Sequence, residues 1–261
     1  MTESVAEHRH QLRQPRLAEM VADVLRRRIL SGQLADGSML PKQEELIDEF
    51  GVSKPSMREA LRILETEGLI TVQRGNVGGA IVHAPQVSNA AYMLGLVLQA
   101  RDVTLHDVGA AIKHIEPVCA ALCAERDDRM TTVVPRLTEL HEAALNCPVD
   151  DELKMTQYAR LFHEELVAGC GNETMIQLVG ALETLWSAHE QEWAQRVSAQ
   201  GEFPDGDVRS QSLEKHQEIL DLIVAGDADS VARAARTHLE GSIFYAVSGG
   251  GAMGINAAAL R

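Results

Sequence analysis

Aromatic residues are scarce in this chain. Only 3% of its 261 residues are Phe, Tyr or Trp, and Ala, Leu and Val dominate instead. That shortage, with long stretches free of proline, favours helices over sheets. No apolar run approaches the roughly 18 residues that a bilayer-spanning helix needs. The opening MTESVAEHRHQLRQP has no hydrophobic core of the kind a secretory signal carries, so a cytoplasmic protein is expected. No P-loop is present, nor any nucleophile elbow with a Ser/His/Asp set, and the glycine cluster at 75–79 precedes a strand rather than linking a strand to a helix. Nothing here therefore indicates an enzyme. The four cysteines (Cys119, Cys123, Cys147 and Cys170) fall in or beside helical patterns and read as reduced thiols packed as small hydrophobes.

Basic charge is also short. The net charge of −14 would argue against a nucleic-acid partner if it were evenly spread. It is not. Residues 1–85 hold 11 Lys and Arg against 12 Asp and Glu, whereas residues 86–261 hold 13 against 26. The acid belongs to the second part, and the first is near neutral, so any phosphate contact there depends on where its few cations stand.

The most informative stretch lies in that neutral part. A polar arm, 1–14, precedes an apolar stripe of Leu17, Val21, Val24, Leu25 and Ile29, which predicts a helix over 16–31. A second helix is predicted from Gln43 to Phe50, stopped by Gly51 in a left-handed conformation. Ser53 is placed to cap a third helix, Lys54 to about Glu67, with Pro55 in its first turn. Met57, Ala60, Leu61 and Leu64 line its inner face, and Lys54, Ser56, Arg58 and Glu59 its outer one. Strands at 69–73 and 80–83 flank the tip Arg74-Gly75-Asn76-Val77-Gly78-Gly79. Two short helices, a tight turn and a two-stranded wing make a winged helix-turn-helix, a fold that places its last helix in the major groove. Arg74 and the small Gly75 suit a wing tip that approaches DNA closely.

GVSKPSMREALRILETEGLI followed by VQRGNVGG resembles the DNA-binding region of the GntR family of bacterial transcription regulators, and most of all its FadR-like branch. The resemblance implies operator contacts from Lys54, Ser56 and Arg58 on the recognition helix and from Arg74 and Gly75 on the wing. Lys54 replaces the family's usual Arg, which weakens bidentate reading of guanine. Glu44 stands where relatives often place a DNA-contacting Arg in LPSERELA. Both departures imply an operator unlike the family's usual one.

Beyond the linker His83–Gln86 the pattern is helical almost throughout, with segments near 88–101, 104–126, 131–145, 150–169, 173–200, 208–225 and 228–247. Thr104 and Asp227 are the expected caps. The glycine-rich end, 248–261, is expected to be a flexible tail. The domains are thus 15–85 for DNA and 86–247 for a helical unit. IEPVCAALCAER, FHEELVAGCGNETM and EKHQEILDLIVAGDADSVARAARTHLE resemble the FCD effector domain, an antiparallel bundle of six or seven helices.

His163, His216 and His238 each fall on the apolar stripe of their own helix and point inward. A single inward histidine is ordinarily a hydrogen-bonded core residue. Three on three helices suggest a shared polar pocket, and imidazole suits Zn, Ni, Cu or Fe. The FCD resemblance makes these three the ligands of one divalent metal, Zn or Ni, per subunit. Its fourth ligand, an Asp, is replaced by Ala159. The Arg that many FCD domains use to grip acids is replaced by Ile112, and Lys113 is turned away from that direction by about 100°. Trp186, His189, Phe162 and Tyr245 are the candidate effector-pocket residues.

The expected function is a dimeric, ligand-responsive regulator, a repressor, that binds a palindromic operator in double-stranded DNA. Its effector would be a carboxylate metabolite or an acyl compound, with no membrane partner. The alternatives are a metal-free acyl- or acyl-CoA-responsive regulator, and a helical metalloenzyme with a vestigial DNA head.

Overall fold

The computed structural model describes residues 17–73, 79–148, 151–201, 206–248 and 253–260, and the chain divides into two compact units between Gln86 and Val87. The first unit runs α1 (Leu17–Leu30), α2 (Gln43–Phe50), α3 (Lys54–Thr66), β1 (Ile70–Gln73) and β2 (Gly79–Val82). Gly51 ends α2 at φ 61°, returning its N–H to the Ile47 carbonyl. A side chain there would be strained, so glycine fixes the tight turn. Two residues on, the Ser53 hydroxyl accepts from the Ser56 N–H at 3.3 Å and starts α3, with Pro55 in the first turn. The expected helix-turn-helix follows from these local devices. It closes over Leu25, Leu46, Met57, Leu64, Ile70 and Val82, all buried, with Val52 plugged between the helices.

β1 and β2 pair antiparallel with Ile70 opposite Val82. A third short segment joins them. Met39 bridges to Ile81, the Leu40 N–H donates to the Ala80 carbonyl at 2.7 Å, and the Val82 N–H donates to the Ser38 carbonyl at 2.9 Å. Three residues before Pro41 are too few to show strand periodicity, so this pairing is silent in the sequence. Two of the cations near the end of α1, Arg26 and Arg28, are structural. Arg26 donates to both Glu67 carboxylate oxygens, at 2.8 and 2.6 Å, and Arg28 pairs with Glu49 and lies over the Phe50 ring.

The second unit is a helical bundle: α4 (Val87–Gln99), α5 (Leu105–Glu125), the single turn α6 (Arg129–Thr132), α7 (Val134–Leu145), α8 (Glu152–Ala168), α9 (Glu173–Gln200), α10 (Gly206–Ala225) and α11 (Ala228–Ser248). The segment expected as one helix over 131–145 breaks at Val133, because Pro135 in the first turn of α7 has no N–H to continue the ladder. Cys119, Cys123, Phe162, Leu166, Ile219, Ile223 and Val231 fill the main core between α5, α8, α10 and α11. All four cysteines are free and buried, as the small-hydrophobe reading expects.

Two expectations are corrected. Thr104 precedes α5, but its side chain makes no capping bond; its backbone pairs with Gly254 instead. Residues 253–260, expected as part of a flexible tail, are packed. Ile255 and Ala257 are buried, and Ala257–Leu260 form a 3-10 turn. The glycine composition of 248–252 obscured the apolar alternation of Met253, Ile255 and Ala257. Asp227 behaves as expected and accepts from the Ser230 N–H at 3.0 Å at the start of α11.

Met57 is fully buried between the helices of the DNA-binding unit. Met57→Ala should destabilise that unit by about 2–5 kcal/mol through lost transfer energy and a cavity. Urea unfolding followed by circular dichroism measures the loss.

A basic recognition face and a candidate metal centre

On the first unit, α3 turns its inner stripe into the core and leaves Lys54, Arg58 and Glu59 exposed. Neither Lys54 nor Arg58 has an ion-pair or hydrogen-bond partner among the described residues. Ser56 is half-buried, and its hydroxyl lies 3.0 Å from that of Ser53, so part of its capacity goes to the helix start. Two uncommitted cations on the first two turns of a capped helix are suited to phosphate and base edges. Arg74 and Gly75 lie outside the described residues.

In the second unit three helices converge on one point. His163 from α8, His216 from α10 and His238 from α11 are all buried. Their Nε2 atoms form a triangle with sides of 3.1, 3.1 and 3.3 Å. The rings are held from behind. Phe162 stacks on His216 with centroids 4.2 Å apart, and the His163 ring lies parallel to that of His238 at 5.0 Å. On the far side of His163, Nδ1 is 2.6 Å from Glu116 Oε1, contributed by α5. Burial lowers the His163 pKa to about 3, with the Arg160 charge acting in the same direction. Burial, then the neighbouring imidazoles, holds His216 and His238 well below the usual range. All three rings are therefore neutral near pH 7.

Sequence reasoning missed the layer behind this triangle. Arg160, one turn before His163 on α8, reaches Glu183 at 3.0 Å and Glu190 at 3.5 Å, both on α9. Burial pushes the carboxyl of Glu183 up to about 8, opposed by Arg160, and that of Glu116 up to about 7. Glu190 is raised too, again chiefly by burial. Glu116 and Glu183 act on each other, and Glu116 Oε2 and both Glu183 oxygens are buried without a donor in hydrogen-bond geometry among the described residues, so a proton shared between them is the economical arrangement. One signal was visible: Glu183 is the only charge within the apolar run LVGALETLW, and an acid there must find a partner inside.

The proposed pocket residues separate. Phe162 lies against His216. Trp186 is buried with Leu105, Val108 and Ile112, in a core shared by α4, α5 and α9. His189 is not in the triangle: its Nδ1 is 2.7 Å from the Leu185 carbonyl and its Nε2 accepts from the Asn256 N–H at 2.9 Å. The side chain of Tyr245 lies outside the described residues. Ile112 is plain core, and Lys113 turns outward to Glu240 at 3.6 Å.

The family model for gntR-type bacterial regulatory proteins matches residues 17–78, and that for the FCD domain matches residues 107–241, more than half of the chain. The chain belongs to the GntR family and carries an FCD domain. This GntR protein is 27% identical over 242 residues to the HTH-type transcriptional repressor NanR of Salmonella newport, covering 88% of this chain and 85% of that protein. Its likeness to NanR of Salmonella arizonae is equally close, with 84% of that protein covered. Among solved structures, a Streptococcus agalactiae GntR covers 87% of this chain and 99% of its own at 22% identity, with a TM-score of 0.65, which supports the fold. The chain is a DNA-binding, ligand-responsive transcription regulator, so the family points away from the metalloenzyme alternative. No helix among the described residues is long and apolar enough to cross a membrane.

The FCD family implies a metal, and the residues present fit one. Three neutral imidazoles aim their Nε2 atoms at one point, at the spacing of ligands about 2.0–2.1 Å from a shared ion. Glu116 stands where such histidines ordinarily meet an orienting carboxylate. Ala159 adds no ligand.

The raised Glu183 pKa carries a sign that can be checked. The group is protonated in the folded state up to about pH 8 but ionises near 4.5 when unfolded. Its favourable contribution is thus complete below about 4.5 and is lost as pH rises through 8. Glu183→Gln, a neutral isostere, should melt like the parent protein at pH 5 and above it at pH 9 in chelator-treated samples. A lower melting point at pH 9 would show that Glu183 is ionised and stabilising.

Proposed function

We propose that this chain is a cytoplasmic repressor that binds a palindromic operator as a homodimer, and that a small-molecule effector in the helical unit retunes it. One divalent metal, zinc or nickel, would sit in each subunit beside the effector. The observation that carries this reading is the buried triangle of imidazole Nε2 atoms. His163, His216 and His238 would hold the ion through those atoms. When bound it supplies a positive, Lewis-acidic centre with coordination positions open to a carboxylate or carbonyl oxygen of the effector. Glu116 orients His163, Phe162 fixes His216, and Arg160 offsets the acids of α9.

Repression is supported by the names of the NanR relatives. Dimerisation is supported by α4, where Met93, Leu96 and Val97 form an apolar stripe on the outer face; Met93 is 60% exposed and Val97 53%. A stripe of that kind is covered when a second copy packs on it. Two heads on a twofold axis would read a palindromic site. Lys54 and Arg58 are the residues proposed to meet the operator from α3, with Ser56, Arg74 and Gly75 beside them.

Two measurements test the reading. Arg58→Ala should weaken binding to the protein's own promoter duplex by about 1–3 kcal/mol in a gel shift. Elemental analysis of the purified protein should find one zinc or nickel per chain, absent in His216→Ala, and Glu116→Gln should lower metal affinity by about 10- to 100-fold. Parent protein free of metal, and unable to take up zinc, would rule out the histidine site and favour a metal-free acyl effector.

A further inference from the structure

We propose that residues 253–260 are a detachable strap, which couples the histidine-bearing end of the bundle to α4 and so tunes DNA binding. The strap is docked by a defined set of bonds. Gly254 pairs antiparallel with Thr104; the Leu105 N–H donates to the Met253 carbonyl at 2.8 Å, and the Ile255 N–H to the Val103 carbonyl at 3.1 Å. The Asn256 N–H donates to His189 Nε2 at 2.9 Å, and the Ala257 N–H to Gln99 Oε1 at 3.0 Å. Ile255 and Ala257 are buried. Gly95 of α4 lies directly beneath: a Cβ there would come within 3.1 Å of both Leu260 and Leu185. Glycine at that position lets α4 lie flat against strap and α9 together.

Its place in the chain gives the strap a use. Four residues separate Met253 from the end of α11, the helix that carries His238. At its other side the strap grips α4 through Gln99 and Gly95, and α4 follows the wing in the chain after residues 83–86. One element thus follows within four residues of the helix that carries His238 and packs on the helix that leads to the DNA-binding unit. α9 adds a second link. It bears Glu183 and Glu190, which pair with Arg160 next to the triangle, and also His189, which docks the strap. The His189 Nδ1–H is spent on the Leu185 carbonyl, and this fixes Nε2 as the acceptor that Asn256 needs.

The attachment is also light. It consists of a few backbone bonds, one medium and one small buried side chain, and a single turn of 3-10 helix. Segments of this kind open locally without unfolding the core. A modest shift of α9 or α11 is therefore enough to change how often the strap is docked. With the strap docked, α4 is held on α9 and the DNA head starts from a fixed root. With it released, α4 loses Ala257, Leu260 and the Gln99 bond, and operator binding loses preorganisation.

A reversible lock tests this in the full chain. The bonds flanking Thr104 and Gly254 make them a non-hydrogen-bonded antiparallel pair, whose Cα atoms stand about 4.5 Å apart, within disulfide range. A Cβ on Gly254 meets nothing within 4 Å, and the four native thiols are buried. In the Thr104→Cys, Gly254→Cys variant, oxidation should slow hydrogen exchange of the α4 amides by about tenfold or more relative to the reduced form, with α7 unchanged. Equal α4 exchange in the two forms would overturn the proposal. In Ile255→Asp, which puts an unpaired charge under the strap, α4 should exchange faster while α5 and α11 stay protected, and binding to the promoter duplex should fall by about tenfold. Faster α4 exchange with unchanged DNA binding would overturn the coupling. If Ile255→Asp loses protection throughout the bundle, the lock decides alone, since it replaces no buried side chain. The exchange measurement needs no DNA and no metal, so it fails or succeeds separately from the choice of operator and from the metal reading.

Discussion

Three neutral imidazoles buried nitrogen to nitrogen are the constraint around which the helical unit is arranged. Their Nε2 atoms stand 3.1–3.3 Å apart, each ring turning that nitrogen toward the other two. A lone pair facing a lone pair at that distance is repulsive, so at least one proton or one cation must occupy the centre. The neutral forms follow from burial, which makes a charged ring expensive. Because each ring comes from a different helix, what occupies the centre is felt by α8, α10 and α11 together.

The ionic layer behind the triangle converts that local requirement into a wider one. Arg160 is bound to two acids of α9, and Glu116 of α5 meets both His163 and Glu183. Charge at the triangle therefore acts on α5 and α9, which contribute no imidazole to it. Removing Arg160, the one cation its acids share, would leave buried carboxylate charge uncompensated, which costs far more than the pair contributes when intact. The layer is thus better understood as fixing which helices move together than as a source of stability. α9 is its outlet: the face that holds Glu183 and Glu190 belongs to the same helix that offers His189 to the strap.

Much of this was legible from residue order, and the limits were physical. Gly51 and Ser53 announce the turn and cap of the first unit, because a left-handed residue and an N-cap have strong local preferences. The three histidines were legible because helical periodicity puts them on apolar stripes. Glu116 and Arg160 were not, because a charged residue on a helix reads as solvated unless its partner is known, and their partners lie 67 and 23 residues away on α9. The strap was hidden for a related reason. Its neighbours are glycines, and its ladder partner at Val103–Leu105 is distant in sequence and too short to show a period. His189 illustrates the limit of face assignment: it does point inward, as its stripe requires, yet it meets the backbone of Asn256 rather than the triangle.

The division of charge between the two units bears on how regulation must work. The helical unit carries nearly all of the excess acid, and a surface of that sign is repelled by phosphate. Its charge balance thus favours an influence on DNA binding through the DNA-binding unit rather than through phosphate contacts of its own. The DNA-binding unit, near neutral overall, has already spent Arg26 and Arg28 on Glu67 and Glu49. On α3, Lys54 and Arg58 are exposed and have no ion-pair partner among the described residues, which leaves both available to the duplex. In the proposed homodimer the second DNA contact would be intramolecular, so the spacing between the two heads would govern affinity. The proposed strap would act through that pairing: loosening the root helix α4 would remove the advantage of the pair without touching a DNA contact.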